Sequence, residues 1–258
     1  MEIEEKDSFS VKAGERVDDI GFGQFRLIQN PEEFCYGVDS VLLADFMANR
    51  IRVNPGTVVD MGTGTGVIPL ILCHKTDVKK VIGVELQRSS YDKAVRNAVL
   101  NNVSDRISFV LGDVNDAELD WGKELKGKID AVVTNPPYFK AGGAIKSELS
   151  VKAAARHETT AGLEEFMKCA SYLLRNRGEL FMVHRPSRLV DICCLGRMAG
   201  LEVKEIRFVS PRKGEIPNIL LVKLVKGGGS ELKILPPLAV YDTDGNYTSD
   251  ILNIYERN

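Results

Sequence analysis

The chain repeats a pattern of a short apolar segment, a loop and a helix-like segment, beginning at Thr57 and continuing to Val225. Nearly continuous apolar strands separated by helices predict a parallel sheet covered by helices on both faces. The seven predicted strands are TVVDM, KVIGVE, ISFVLGD, IDAVVTN, GELFMVH, LEVKEIRFVS and NILLVKLV. The connection PRKGEIP between the last two is too short for a parallel crossover. We therefore expect an α/β fold with a doubly wound, mostly parallel, seven-stranded sheet that ends in an antiparallel C-terminal hairpin.

The segments on either side of this repeating region have different patterns. Residues 1–19 are rich in charge and poor in apolar positions, which predicts a lead segment that is mobile or loosely docked on the rest of the protein. A short strand is expected at 25–28, and the apolar positions from Val38 to Met47 suit one face of a helix. Beyond Ser230 we expect only a short appendage. The predicted division is an N-terminal cap segment at 1–50, a main domain at 51–226 and a C-terminal tail at 227–258.

The composition is that of an ordinary globular protein, with 258 residues, 44% hydrophobic and 27% charged. No apolar run reaches the roughly 18 residues of a membrane span, and the N-terminus lacks a signal-peptide pattern. We expect a cytoplasmic monomer or weak homodimer with no membrane partner. The five cysteines include no C-x-x-C pair and the histidines lack metal-ligand spacing, so neither disulfides nor a metal is expected. A net charge of −2 means that nucleic-acid binding would need a local basic patch.

A glycine-rich loop follows the first strand of the repeating region. It reads DMGTGTG, with a carboxylate at the strand end and three glycines after it: Asp60, Gly62, Gly64 and Gly66. Glycines at this place let the backbone approach a ligand at the start of the next helix. Loops of this kind also serve NAD, but a carboxylate would repel a pyrophosphate. The loop therefore favours the cationic sulfonium and amino group of S-adenosylmethionine.

Carboxylates also close the next two strands. Glu85 could accept hydrogen bonds from both ribose hydroxyls, and Asp113 could accept one from the adenine amino group. Leu86 and Val114 follow these acids and would border the same pocket. The alternative for each acid is a helix cap or a solvated turn. We favour cofactor binding because acids at three successive strand ends face the edge where doubly wound sheets bind ligands.

The strand IDAVVT runs into Asn135, Pro136, Pro137 and Tyr138, the most specific tetrapeptide in the chain. An aryl amino group is a poor nucleophile because its lone pair is delocalised into the ring. Hydrogen bonds from that group to the Asn135 side-chain oxygen and the Pro136 carbonyl would shift electron density to the nitrogen. Tyr138 offers a stacking face for an extruded base. The alternative is a rigid turn after a buried strand.

The sequence D-x-G-x-G-x-G followed by N-P-P-Y resembles the N6-adenine and glutamine-N5 methyltransferases, which are Rossmann-like class I enzymes that use S-adenosylmethionine. Segments 21–23, 34–44 and 155–158 resemble one bacterial branch, the tRNA(Val) adenine-N6-methyltransferases, which act on the adenine beside the anticodon. The resemblance covers residues 20–226 and implies methylation of an adenine in tRNA, at position 37 of valine tRNA. It also implies that Tyr36, Gly37 and Asp39 line the cofactor pocket and that residues 135–138 line the base pocket. Asn135 is expected to border both pockets.

Basic residues follow the tetrapeptide. Residues 140–157 hold four cations and the single acid Glu148, a local net charge of +3. A basic loop made mobile by Gly142 and Gly143 could hold phosphates, although such charge is equally typical of a solvated face. The predicted RNA-binding residues are Tyr138, Lys140, Lys146, Lys152, Arg156 and Arg185.

Four other functions fit parts of this pattern. A protein-glutamine N5-methyltransferase shares N-P-P-Y, but no separate helical substrate-binding domain precedes the glycine loop. A DNA adenine methyltransferase would need a target-recognition domain, and no candidate is visible. An NAD-linked oxidoreductase is disfavoured by Asp60 and the glycine spacing. A noncatalytic RNA-binding protein that holds the cofactor would be separated by cofactor binding without methyl transfer.

Overall fold

The computed structural model describes residues 10–33, 35–52, 56–137 and 161–257. Within these ranges the strands are β1 Arg16–Asp19, β2 Arg26–Gln29, β3 Thr57–Met61, β4 Lys80–Glu85, β5 Ile107–Leu111, β6 Ile129–Thr134, β7 Leu174–His184, β8 Leu201–Arg212, β9 Ile219–Lys226, β10 Lys233–Ile234 and β11 Leu238–Tyr241. The helices are α1 Val38–Ala48, α2 Val67–Lys75, α3 Arg88–Leu100, α4 Leu163–Leu173, α5 Leu189–Met198 and α6 Ser249–Ile254. Helix α1 agrees with the helix face predicted from Val38 to Met47, whereas α6 lies in a tail for which no helix was predicted.

The central sheet has the strand order β10-β8-β9-β7-β6-β3-β4-β5, and β11 also pairs with β8. Strands β3 to β7 pair parallel with one another, whereas β9 runs antiparallel to both β7 and β8. The mostly parallel sheet with an antiparallel C-terminal hairpin is therefore confirmed. Parallel strands with helical crossovers are buried on both faces, which is why their sequences are nearly continuously apolar.

The core consists of two apolar layers, one on each face of the sheet. In β6, Ala131 and Val133 pack in the layer with α1, α2 and α3. The intervening Val132 packs in the opposite layer, with α4 and α5. All three residues are fully buried. Because successive side chains of a strand point to opposite faces, this arrangement gives the doubly wound architecture predicted from the sequence.

The lead segment is docked more firmly than predicted. Strand β1 pairs antiparallel with β2, and the hairpin lies against α3. The Arg96 guanidinium contacts the Glu15 carboxylate at 2.6 and 2.7 Å, and this pairing lowers the pKa of Glu15 to about 2. The expectation of a loose lead was thus wrong for residues 10–19, because an ion pair with a distant helix holds them. Residues 1–9 lie outside the described ranges.

The C-terminal tail is more than the short appendage that we expected. Strands β10 and β11 pair parallel with β8 and extend the sheet from seven strands to nine. Apolar tail residues lie in the core layer that holds α1 and α2: Leu235, Leu238, Val240, Ile251 and Ile254. The two short strands satisfy backbone groups that would otherwise leave β8 as an open sheet edge. In the described part of the chain, no helix is long and apolar enough to cross a membrane.

Candidate active site

Four of the predicted site residues lie at one edge of the sheet. The strands β6, β3, β4 and β5 are neighbours and parallel, so their carboxyl ends face the same way. Asp60 lies near the end of β3 and Glu85 ends β4. Asp113 lies two residues after the end of β5, and Asn135 directly follows β6. This edge is where doubly wound sheets bind ligands.

The glycine loop is held in a conformation that suits close approach of a ligand. The Gly62 and Thr63 N–H groups both donate to the Val84 carbonyl, at 2.9 and 3.0 Å. Gly64 has a φ of +58°, a left-handed backbone that favours glycine, and a Cβ there would meet no described atom within 4 Å. Gly66 is the N-cap of α2. The loop therefore leaves open space beside its backbone at the N-terminus of a helix.

Asp60 is fully buried and only half satisfied. Its Oδ2 accepts a hydrogen bond from the Thr63 hydroxyl at 2.6 Å. Its Oδ1 has no hydrogen-bond partner among the described residues. Burial, with a smaller contribution from the neighbouring Glu85 carboxylate, raises the pKa of Asp60 to about 7. An orphaned buried carboxylate oxygen is costly, and a cationic ligand at this edge would compensate it.

Glu85 fixes the loops on either side of it. One carboxylate oxygen accepts from the Gly64 N–H and the other from the Gln87 N–H, both at 2.8 Å. Burial raises the pKa of Glu85, although these backbone hydrogen bonds oppose the rise. Each carboxylate oxygen has a second lone pair that a ribose hydroxyl could use. Leu86, which follows, exposes 37% of its surface.

Asp113 has the geometry of the turn-cap alternative. Its Oδ1 accepts from the Asn115 N–H at 2.9 Å and caps a short 3-10 helix at Val114–Asp116. The Asp113 carbonyl accepts from the Trp121 indole N–H at 2.7 Å. The capping bond uses one oxygen of the carboxylate. Val114 is half-buried beside it.

The described part of the tetrapeptide, residues 135–137, follows β6 beside the end of β3 and the first turn of α1. The Thr134 hydroxyl, at the end of β6, donates to the Met61 carbonyl at 2.8 Å. The half-buried Asn135 donates from its amide nitrogen to the Ser40 hydroxyl at 3.4 Å. Pro136 is buried and Pro137 exposed, and Tyr138 lies outside the described residues. These contacts fix the end of β6 relative to the first turn of α1.

The predicted N-terminal site residues lie at the start of α1. The Tyr36 N–H donates to the side-chain oxygen of the buried Gln29 at 3.1 Å. Gly37 is the N-cap of α1 and exposed, and Asp39 lies in its first turn. Gln29 and Ser40 were not predicted as site residues, since a single polar side chain that bonds another segment of the chain leaves no periodic pattern in the sequence.

One predicted RNA-binding residue is described. Arg185 follows β7, and its N–H donates to His184 Nδ1 at 2.8 Å. Burial, helped by nearby arginines, lowers the pKa of His184 to about 4, so this imidazole is neutral near pH 7. The other predicted RNA-binding residues lie outside the described ranges: Tyr138, Lys140, Lys146, Lys152 and Arg156. Among the described residues, no cluster of three or more His, Cys, Asp or Glu side chains could hold a metal ion.

A mostly parallel sheet with an antiparallel terminal hairpin, and a glycine loop after its first central strand, is the architecture of Rossmann-like methyltransferases. The chain belongs to the methyltransferase small domain family, whose model matches residues 25–191. The resemblance predicted from the sequence is thereby confirmed at the level of the family.

Known proteins support the same class. The chain is 33% identical over 206 residues to a tRNA1(Val) (adenine(37)-N6)-methyltransferase of Porphyromonas gingivalis, covering 79% of this chain and 76% of that protein. A predicted O-methyltransferase from Agrobacterium tumefaciens has the same fold, with a TM-score of 0.63, 22% identity, and coverage of 85% and 96%. The M. jannaschii TYW2 protein in complex with AdoMet gives a TM-score of 0.55, 17% identity, and coverage of 83% and 88%.

Proposed function

We propose that this chain transfers a methyl group from S-adenosylmethionine to the N6 amino group of an adenine in tRNA. The observation that carries the proposal is the position of Asn135–Pro137 at the end of β6, directly beside β3 and its glycine loop. That position places a set of hydrogen-bond acceptors for a planar amino group next to a site suited to a cationic cofactor. The name of the relative from P. gingivalis suggests adenine 37 of a valine tRNA as the target.

The residues at the sheet edge fit S-adenosylmethionine. The orphaned Oδ1 of Asp60 suits a cation, and the open space beside Gly64 admits a ligand against the backbone. The residues proposed to hold the cofactor are Tyr36, Gly37, Asp39, Asp60, Gly62, Gly64, Gly66, Glu85, Leu86, Asp113, Val114 and Asn135. When bound, S-adenosylmethionine supplies an electrophilic methyl group. Asp113 uses Oδ1 to cap a turn, so its Oδ2 would accept the hydrogen bond from the adenine amino group of the cofactor.

The tetrapeptide would orient the target base. The Asn135 side-chain oxygen and the Pro136 carbonyl would accept hydrogen bonds from the adenine amino group and raise the electron density on its nitrogen. As the methyl carbon passes from the sulfonium sulfur to this nitrogen, the carbon–sulfur bond would break and S-adenosylhomocysteine would leave. The nitrogen would then release a proton to solvent, so no strong base is needed. Pro137 would keep the backbone rigid and Tyr138 would stack on the base.

Phosphate contacts are proposed for Arg185 and for the basic residues 140–157, because RNA binding by a chain of net charge −2 needs a local cationic surface. Arg185 follows β7, which is parallel to β6, and therefore lies at the same edge as Asn135. A tRNA substrate would place the protein in the cytoplasm.

The test of reaction and substrate is transfer of labelled methyl from S-adenosylmethionine to tRNA that lacks the modification, to a release factor and to DNA. We expect label in tRNA, and digestion to nucleosides should give N6-methyladenosine. Label in the release factor alone would identify a glutamine N5-methyltransferase, and label in DNA alone a DNA adenine methyltransferase. Binding of S-adenosylmethionine with no transfer to any of the three would contradict an enzymatic role.

Variants of the tetrapeptide test the chemistry. Asn135→Ala should lower kcat by at least about a hundredfold, because the amide acts on the transition state. The dissociation constant of S-adenosylmethionine should change by no more than about threefold, since Asn135 is only one of the twelve residues proposed to hold the cofactor. Tyr138→Ala should be more harmful than Tyr138→Phe, because the ring stacks on the base. Unchanged turnover in Asn135→Ala would refute this mechanism, and equal losses in the two Tyr138 variants would point to the hydroxyl.

A further inference from the structure

One face of α3 presents a row of polar side chains spaced four residues apart to the N-terminal segment. Ser89 and Lys93 both contact the Glu33 carboxylate, at 2.8 and 2.9 Å. Asn97 and Asn101, one and two turns further on, contact the backbone of β2. Residues at this spacing lie on the same helix face. The N-terminal segment is therefore held on α3 by polar contacts.

Asn97 has a second partner that distinguishes it from the rest of this row. It is fully buried, and its Oδ1 accepts from the Ile28 N–H at 2.7 Å. Its Nδ2 donates both to the Ile28 carbonyl at 3.2 Å and to the Thr65 carbonyl at 2.9 Å. Both amide protons and the amide oxygen are thus used. Thr65 lies inside the glycine loop, so one side chain joins β2 to that loop.

These contacts continue to the start of α1. Ile28 precedes Gln29, whose side chain accepts from the Tyr36 N–H at 3.1 Å. Hydrogen bonds therefore link the glycine loop to Asn97, Asn97 to Ile28 of β2, and the next residue, Gln29, to the Tyr36 backbone. One end is Tyr36, which is proposed to hold the cofactor, and the other is Thr65, which lies between Gly64 and Gly66, two further residues proposed to hold it.

From these contacts we propose that Asn97 is a positioning residue that joins the N-terminal segment to the glycine loop, so that the two halves of the cofactor pocket form together. This inference rests on the proposed function, since it requires that S-adenosylmethionine binds at the glycine loop. Asn97 touches neither the cofactor nor the base in this proposal. It acts by fixing the Thr65 carbonyl, and hence the backbone of the loop on either side.

Asn101 supplies a matched control. Its Oδ1 accepts from the Arg26 N–H at 2.8 Å and its Nδ2 donates to the Arg26 carbonyl at 2.7 Å, the same bonding that Asn97 makes to Ile28. Its remaining hydrogen bond goes to the Asn97 carbonyl within α3, and no hydrogen bond is described between it and the glycine loop. Asn101→Ala removes a contact to β2 and preserves the contact to Thr65.

The experiment measures the dissociation constant of S-adenosylmethionine by calorimetry, and KM and kcat for the labelled transfer. Asn97→Ala should weaken binding and raise KM by about tenfold, with kcat at saturating cofactor within about twofold. Asn101→Ala should bind as the unsubstituted protein does. Equal affinities for the Asn97→Ala and Asn101→Ala variants would overturn the inference while leaving the proposed function intact. Failure of the unsubstituted protein to bind would overturn both.

A measurement on the unsubstituted protein covers the case in which Asn97→Ala does not fold. Amide hydrogen exchange is followed with and without S-adenosylhomocysteine. The product should protect residues 26–33 together with the loop at 62–66, since one side chain joins them. Protection of the loop with no change at 26–33 would overturn the inference.

Discussion

The buried carboxyl group of Asp60 should lower the free energy of unfolding of the protein without cofactor. Comparison with the Asp60→Asn variant should measure by how much. Burial raises the pKa of this carboxyl from an ordinary value of 3.8 to about 7. The unfolded chain therefore ionises first as pH rises, while the folded chain keeps its proton. Because the folded state then binds more protons than the unfolded state, the stability contributed at this residue falls between about pH 4 and about pH 7.

The magnitude follows from the two pKa values. Raising a carboxyl pKa from 3.8 to about 7 penalises the ionised form by about 4 kcal/mol. Part of that penalty is already present at about pH 5, so the stability of Asp60→Asn relative to the unsubstituted protein should grow by about 2–3 kcal/mol between about pH 5 and about pH 8. Comparing the two pH values removes the contribution of any hydrogen bond that the asparagine gains or loses, because that contribution is the same at both.

The assay is urea unfolding of both proteins at the two pH values, without cofactor. Asp60→Asn should also weaken binding of S-adenosylmethionine, because the neutral amide offers no charge to a cation. Thr63→Val is a useful control, since it removes the hydroxyl that donates to Asp60 Oδ2 at 2.6 Å and should raise the pKa further. A stability difference between Asp60→Asn and the unsubstituted protein that is the same at both pH values would refute the reasoning.

Three further predictions concern binding and stability. Binding of S-adenosylmethionine should tighten by about fivefold from about pH 6 to about pH 7, because the ionised fraction of Asp60 rises by that factor and the ionised form favours a cation. Calorimetry of Asp60→Asn should show a flatter pH profile. Lys223→Ala should lower the free energy of unfolding in urea by about 3 kcal/mol or more, because it leaves the buried Glu179 carboxylate, 2.9 Å away, without this partner. The control Lys80→Ala, on the surface, should lower it by less than about 0.5 kcal/mol. Gly64→Ala should lower stability by only about 1–2 kcal/mol but weaken cofactor binding at least tenfold. Gly83→Ala, whose Cβ would lie 2.6 Å from a ring carbon of Phe109, should be the more destabilising of the two, and the reverse order would contradict the geometry.

The central sheet could be predicted because its signals are local. Continuous apolar runs such as 129–134 identify strands that are buried on both faces, and the short connection after β8 excludes a parallel crossover. The site edge follows from the same pattern, since parallel strands bring Asp60, Glu85 and Asn135 to one side. These predictions needed only residue type, spacing and strand direction.

The two ends of the chain could not be predicted in the same way. Strands β10 and β11 are only two and four residues long, and they pair with a strand that is distant in sequence. At the N-terminus, Glu15 is fixed by Arg96, which is 81 residues away. Neither contact produces a hydrophobic period. Asp113 illustrates a different limit, because a carboxylate after a strand can cap a turn or bind a ligand, and residue type alone does not separate the two.

The contrast between Asp60 and Asn97 explains how the site is rigid and yet contains a buried polar atom that a ligand would satisfy. Both side chains are fully buried and polar. Every hydrogen-bonding group of Asn97 has a partner in the protein, so its burial stabilises one arrangement of β2 and the glycine loop. Asp60 keeps one oxygen without a partner among the described residues, so its burial lowers stability until a cation arrives. Asn97 holds the site in one arrangement, and binding of a cation would relieve the cost of burying Asp60. The site would therefore gain affinity for the ligand without rearranging the contacts that Asn97 makes.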